Sequence, residues 1–540
     1  MMISLSRRSL LQTAFALSLP LPARLLAAEA WTTIPAAPFV TVETAQGKVR
    51  GGTCRGALAF KGIPYAGSVS GAGRFRPAPP PPNWTGVRDA MRLGPPAIQK
   101  EKSVYGQDEP PSDENCLVLN VWTPSVEDGR KRPVMFYCHG GGFVTGSAGS
   151  VAQDGSRLAA QQDVVVVASN HRLGLMGYLT LDEPGTANAG MQDIVAALRW
   201  VQANIEAFGG DPGNVTIFGE SGGGAKVATL MAMPQAAGLF QKAGIQSGAW
   251  PRRIPKEVAA ETTAQVLHAL KIPADRTDLL SKVPVQRLLA LQLAWEKRKA
   301  PDSLMHAAGS DAAVPGHFGP VVDGTVLPVH PFDPAAPQLS AEIPLMIGNN
   351  RDEATFNNRE KPETFSLTGA ALKARLKREF GDHGAALEAA YRKAMPSAGP
   401  SDLYIAIATA RQFGNDTALV AGLKSAQPAP VFAYRYDYAS NYPIAGTTAT
   451  LRAGHATDIG ATFGNIDIPG LQGDGPGLAE ASRNLGALWA SFARDGVPSA
   501  PGVPEWPRYE TQTRPTMLIS SECQVERDPD AAVRAAWRGV

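Results

Sequence analysis

The sequence predicts an α/β fold: one large, mostly parallel sheet flanked by helices, within a single domain. The first observation is a set of four apolar runs, Val134–Cys138, Val164–Ser169, Val215–Phe218 and Pro344–Ile347, which read as strands buried on both faces. The second is helical periodicity between them. Ile194, Leu198, Val201, Ile205 and Phe208 recur at spacings of four and three, which puts them on one helix face. Gly209-Gly210 and Asp211-Pro212 are expected to stop that helix. Strands alternating with helices favour parallel pairing.

The remaining stretches fit around this frame. Phe39–Tyr65 reads as β-rich, with turns at Gly47, Gly51 and Gly52. Arg76–Trp84 is dense in proline and reads as an extended surface segment. Val431–Tyr436 is a further expected strand. Residues 251–320 and 362–430 are rich in helix formers and lack strand runs, so they are expected to be helical insertions over the sheet's catalytic edge. One domain is expected over 31–540, after a separable leader.

That leader occupies 1–30. Arg7-Arg8 precedes an apolar run to Leu19, and Ala28-Glu29-Ala30 makes an A-x-A site before Trp31. It resembles a twin-arginine export signal, which implies a bacterial source and a periplasmic or secreted mature protein. The run is too short to cross roughly 30 Å of hydrocarbon, so no stable membrane insertion is expected. In 540 residues, 51 basic side chains against 49 acidic ones leave a formal charge of +2, with no clustered basic surface that would suit nucleic acid. The cysteines Cys54, Cys116, Cys138 and Cys523 are widely scattered, unlike a metal site, and their pairing is open.

The chemistry concentrates at Gly219-Glu220-Ser221-Gly222-Gly223, a G-x-S-x-G pattern. Asn214–Phe218 before it reads as a strand, and 224–232 after it as a helix. A serine nucleophile needs that sharp strand-to-helix turn, with small neighbours so that backbones can pass closely. A phosphate-binding loop is excluded, because Ala225 stands where the lysine would be required. His139-Gly140-Gly141-Gly142-Phe143 follows a strand, and its glycines can point N–H groups at a developing oxyanion. The N–H of Gly222 would complete that hole.

With a serine of this type, the acid and then the histidine follow along the chain. Of the two late histidines, His383 reads as a solvated helix end. His455, in Ala453-Gly454-His455-Ala456, has small neighbours that let an imidazole reach across a cleft. Either Asp352 or Glu353, after the expected turn Gly348-Asn349-Asn350, has the chemistry to orient it.

Assembled, these residues resemble the carboxylesterase type B family, which includes bacterial carboxylesterases and cholinesterases and has the α/β-hydrolase fold. The resemblance runs from about Val42 to Tyr509 through Phe60–Tyr65, Arg74–Pro77, Glu114–Trp122, His139–Phe143, Asn170–Gly174, Ala207–Pro212 and Gly219–Gly223. It implies Glu353 as the acid, His455 as the base, and Gly141, Gly142 and Gly222 as oxyanion donors. It also implies a partly buried Glu220 near the base and Ser247 as a partner behind it. Two departures stand out. Ala97 occupies the place of the cysteine that the family pairs with the one at Cys116, and Tyr105 is the only aromatic residue in a short loop where cholinesterases carry a tryptophan. Choline esters are therefore not the expected substrates. The expected activity is hydrolysis of a small carboxylic ester through an acyl-enzyme, with no metal or cofactor. The same chemistry on an amide or thioester, and a non-catalytic binding role, are the alternatives. Oligomeric state is open.

Overall fold

The computed structural model describes residues 36–100, 109–183, 185–296, 315–468 and 470–540. The expected leader with its cleavage site, and Tyr105, lie outside the described residues.

A sheet of thirteen strands runs through the molecule. Its members are β1 (Ala36–Thr44), β2 (Gly47–Cys54), β3 (Ala57–Pro64), β4 (Val87–Asp89), β5 (Val118–Thr123), β6 (Arg132–Cys138), β7 (Val165–Ser169), β8 (Gly210–Glu220), β9 (Lys242–Gln246), β10 (Leu345–Asn350), β11 (Val431–Tyr436), β12 (Pro515–Ile519) and β13 (Gln524–Arg527). The spatial order is β1-β2-β3-β5-β7-β6-β8-β9-β10-β11-β12-β13, with β4 beside β2. From β7 to β12 every pairing is parallel. β1, β2, β3 and β5 pair antiparallel at one edge, and β13 at the other.

The central strands are buried on both faces because their alternate side chains enter two different cores. Val134, Phe136, Val165, Val167, Val215, Ile217, Leu345 and Ile347 pack into one cluster. Met135, Tyr137, Val166, Phe218 and Met346 pack into another on the opposite face. The helices that cover them include α1 (Ala189–Asn204), α2 (Gly222–Leu230), α3 (Lys256–Leu270) and α4 (Val285–Glu296). Further along come α5 (Gly369–Phe380), α6 (His383–Ala394), α7 (Pro400–Thr409), α8 (Asn415–Ser425) and α9 (Leu478–Asp495), with the π-turn Ala410–Gly414 between α7 and α8. Helices α5 to α7 share a hydrophobic cluster of their own.

Several local expectations need correction. Gly51 and Gly52, expected as turns, lie inside β2, paired with β1. The helix carrying Ile194 ends at Asn204 and tightens into a 3-10 turn over Ile205–Phe208. The next strand then begins at Gly210, so Asp211-Pro212 lies inside β8 rather than in a separate turn. Gly348-Asn349-Asn350 is not a turn either: β10 continues through Asn350, paired with β9 on one side and β11 on the other. Glycine is needed at 348 for packing, since an added Cβ would lie 2.5 Å from the Tyr434 ring. Finally, α2 starts at Gly222, earlier than the expected 224.

Candidate active site

The carboxyl ends of β6, β8, β9 and β10 bring the candidate residues together. Ser221 joins β8 to α2 with φ 56° and ψ −123°, a strained conformation for a residue with a side chain. Its neighbours hold it there. The Ser221 N–H donates to the Gln246 carbonyl at 2.8 Å. A Cβ added to Gly248 would lie 2.1 Å from Ser221 O, and one on Gly223 would lie 2.0 Å from Cys138 O.

His455 follows β11 after a small antiparallel pair of strands, Ser440–Pro443 and Thr450–Arg452, and is buried beside this turn. Its Nδ1 lies 2.6 Å from Glu353 Oε2, and its Nε2 lies 3.3 Å from Oε1 of Glu220, the residue before Ser221. Of these two contacts only the one at Nδ1 is a hydrogen bond, and a carboxylate only accepts, so in the neutral ring the proton sits on Nδ1. The ring of Phe413, from the π-turn, is 4.8 Å away and that of Phe356 is 5.8 Å away.

The two candidate acids separate cleanly. Glu353 is fully buried, and its Oε1 accepts from Ser247 Oγ at 2.5 Å and from the Asn350 N–H at 2.7 Å. Asp352 instead pairs with Arg351 at 3.0 Å. It lines a cavity of about 360 Å³ with Tyr391 and Trp537. Behind Glu353, the buried Asp458 accepts from Gln246 Nε2 at 2.8 Å and Asn350 Nδ2 at 3.1 Å.

Three buried carboxylates, Glu220, Glu353 and Asp458, surround one imidazole. Burial raises Glu220 to about 8, with His455 opposing the rise. Burial also raises Asp458 to about 6. For His455, burial works against the charged ring, but the Glu220 and Glu353 carboxylates outweigh it and raise it to about 9. Glu220, expected to be partly buried, is buried completely.

The glycine loop is fixed through its carbonyls. Gly140 O is 3.0 Å from His139 Nδ1, and Gly141 O accepts from the Thr145 N–H and Oγ1, both at 3.1 Å. A trans peptide points its N–H opposite to its carbonyl. The N–H groups of Gly141 and Gly142 are therefore directed away from those partners. Gly222 packs directly on this loop, where an added Cβ would lie 2.2 Å from Gly142 O.

The contacts of Gln246, Asn350, Phe413 and Lys226 were not legible in the sequence, and the family resemblance implied Asp458 only as an acidic position after the histidine. His383 is exposed at the start of α6. All four cysteines are free thiols, and burial raises Cys138 to about 12, which keeps it protonated at neutral pH.

With this geometry in place, the comparisons with known proteins are decisive. The carboxylesterase family model matches residues 38–537. The chain belongs to the carboxylesterase family. It is 36% identical to the para-nitrobenzyl esterase of Bacillus subtilis, over 91% of this chain and 97% of that protein. It is 32% identical to the phenmedipham hydrolase of Pseudarthrobacter oxydans, over 88% and 94% respectively. The solved carboxylesterase of Geobacillus stearothermophilus superposes with a TM-score of 0.77 at 36% identity, covering 92% of this chain and 99% of that one. This carboxylesterase has the α/β-hydrolase fold and is, by class, a carboxylic-ester hydrolase. Among its described residues no helix is long and apolar enough to cross a membrane.

Proposed function

We propose that this carboxylesterase hydrolyses small carboxylic esters by two-step acyl transfer on Ser221. One observation carries the reading: His455 is held at Nδ1 by the buried Glu353 while its Nε2 lies at the turn bearing Ser221. Neutral His455 takes the Ser221 proton at Nε2, and Oγ bonds to the ester carbonyl carbon. The carbonyl oxygen becomes an oxyanion, received by the N–H groups of Gly141, Gly142 and Gly222. Collapse breaks the bond to the alcohol oxygen, which leaves with the proton from His455. Water, deprotonated by the same imidazole, then releases the acid and restores the serine. Glu353 holds the tautomer and stabilises the imidazolium, Ser247 and Asn350 hold Glu353, and no metal or cofactor enters a step.

The test is hydrolysis of p-nitrophenyl butyrate together with labelling by a fluorophosphonate. Ser221→Ala should lose at least roughly 10⁴-fold in kcat and all labelling. Equal rates in the two proteins would remove Ser221 from its role. The leader reading extends this to an enzyme exported to the periplasm or beyond. Replacing Arg7 and Arg8 by lysine should then retain esterase activity in the cytoplasm of the producing bacterium, and unchanged export would refute it.

A further inference from the structure

We propose that Lys226 is a positioning residue for the oxyanion loop, its buried amino group fixing the peptides on either side of the Gly141 and Gly142 donors. This rests on the reading that Ser221 is acylated beside those donors. Lys226 lies in α2 one helical turn after Gly222, so the two share a face. That face meets the glycine loop: Gly222 abuts the Gly142 backbone, and Lys226 Nζ donates to the carbonyls of His139 at 2.9 Å and Gly142 at 2.8 Å.

The chain direction makes these two acceptors informative. The His139 carbonyl belongs to the peptide whose N–H is that of Gly140, and the Gly142 carbonyl to the peptide bearing the N–H of Phe143. Between them lie the two peptides that present the N–H groups of Gly141 and Gly142. One side chain therefore pins both ends of the donor pair, while His139 and Thr145 hold the carbonyls between. Glycines at three consecutive positions leave this loop soft, and Gly141 and Gly142 both take positive φ, at 83° and 62°. A soft loop has to be held for its donors to be preorganised.

The surroundings of Nζ point to the same role. No carboxylate among the described residues forms an ion pair with it. It faces the thiol of Cys138, the imidazoles of His139 and His171, and, at 5.3 Å, the ring of Phe143. Burial lowers His139 to about 3 and His171 well below its ordinary value, so both rings are neutral. Burial likewise lowers Lys226 to about 7. A fully buried amine is costly unless hydrogen-bonded, and both of its bonds go to one loop.

The experiment compares Lys226→Met and Lys226→Gln with wild type on p-nitrophenyl butyrate, with active sites titrated by the phosphonate burst. In folded Lys226→Met, kcat per titrated site should fall about 10–100-fold with KM changed less than about threefold. Affinity for a trifluoromethyl ketone, which adds Ser221 to form a stable oxyanion, should fall in parallel. Lys226→Gln, whose amide still donates, should recover part of both, and it serves alone if the methionine variant does not fold. Overturning results are a kcat per site and ketone affinity within about threefold of wild type, or a lower fraction of active sites with unchanged kcat per site. Ser221→Ala, run alongside, separates the failures: if it also keeps full activity, the site reading itself has failed.

Discussion

His455 sits between Glu353 and Glu220, and its titration is a property of that group of side chains. Both partners are raised, Glu220 to about 8 by burial and His455 to about 9 by the two carboxylates against the effect of burial. The base must be neutral to accept the serine proton, so kcat/KM should rise with pH through this titration, with its midpoint above the ordinary histidine value of about 6.5. Glu220→Gln removes one of the two charges that hold the proton on the ring. The midpoint of the rising limb should then move to lower pH, as read from kcat/KM for a p-nitrophenyl ester between pH 5 and 10. An unmoved or raised midpoint would show that Glu220 does not set the base's protonation. Sequence position alone left Asp352 and Glu353 equivalent; the bond to His455 and the pairing of Asp352 with Arg351 distinguish them.

The strand-turn-helix element holding Ser221 was legible because its demands are local: a strand, two flanking glycines, a helix. Its limits were less legible. β8 extends from Gly210 because β6 offers it partners as far as Arg132, a contact that periodicity within 210–220 does not encode. β10 runs on through Gly348 because strands flank it on both sides. Gly223 tests the element most directly. Its Cβ position is 2.0 Å from the Cys138 carbonyl, closer than any relaxed contact, and Cys138 ends the strand that leads to the glycine loop. Gly223→Ala should cost about 1–3 kcal/mol of stability by overpacking and lower kcat by moving the two turns apart. Urea denaturation and steady-state kinetics would check both. A variant with wild-type stability and rate would mean that the turn yields more easily than this contact implies.

At the scale of the whole molecule, one helix face covers several strands at once. Trp489 in α9 is fully buried, with its ring 5.6 Å from Phe218 of β8 and 6.2 Å from Tyr434 of β11. It also fills the space over Gly244 of β9, where a Cβ would lie 2.2 Å from it. Trp489→Ala should therefore lower unfolding free energy by about 3–5 kcal/mol, read from a shift of the urea midpoint. A loss below about 1 kcal/mol would show that α9 does not hold that face of the sheet.

By itself the sequence determined the layered fold, the strained serine, the glycine loop and the chain order of the reacting groups. The serine turn and the glycine loop depend on spacing within a short window, where backbone geometry follows residue type directly. Residue chemistry left Asp352 and Glu353 open and the family resemblance implied Glu353, but only the tertiary structure decided how Glu353 is held, where Lys226 points and how the buried charges share a proton. Those are sums over neighbours far apart in the chain, such as Glu353 and His455, 102 residues apart, or Gln246 and Asp458, 212 apart. Burial and charge act through space, and parallel strands bring distant segments together at one edge of the sheet.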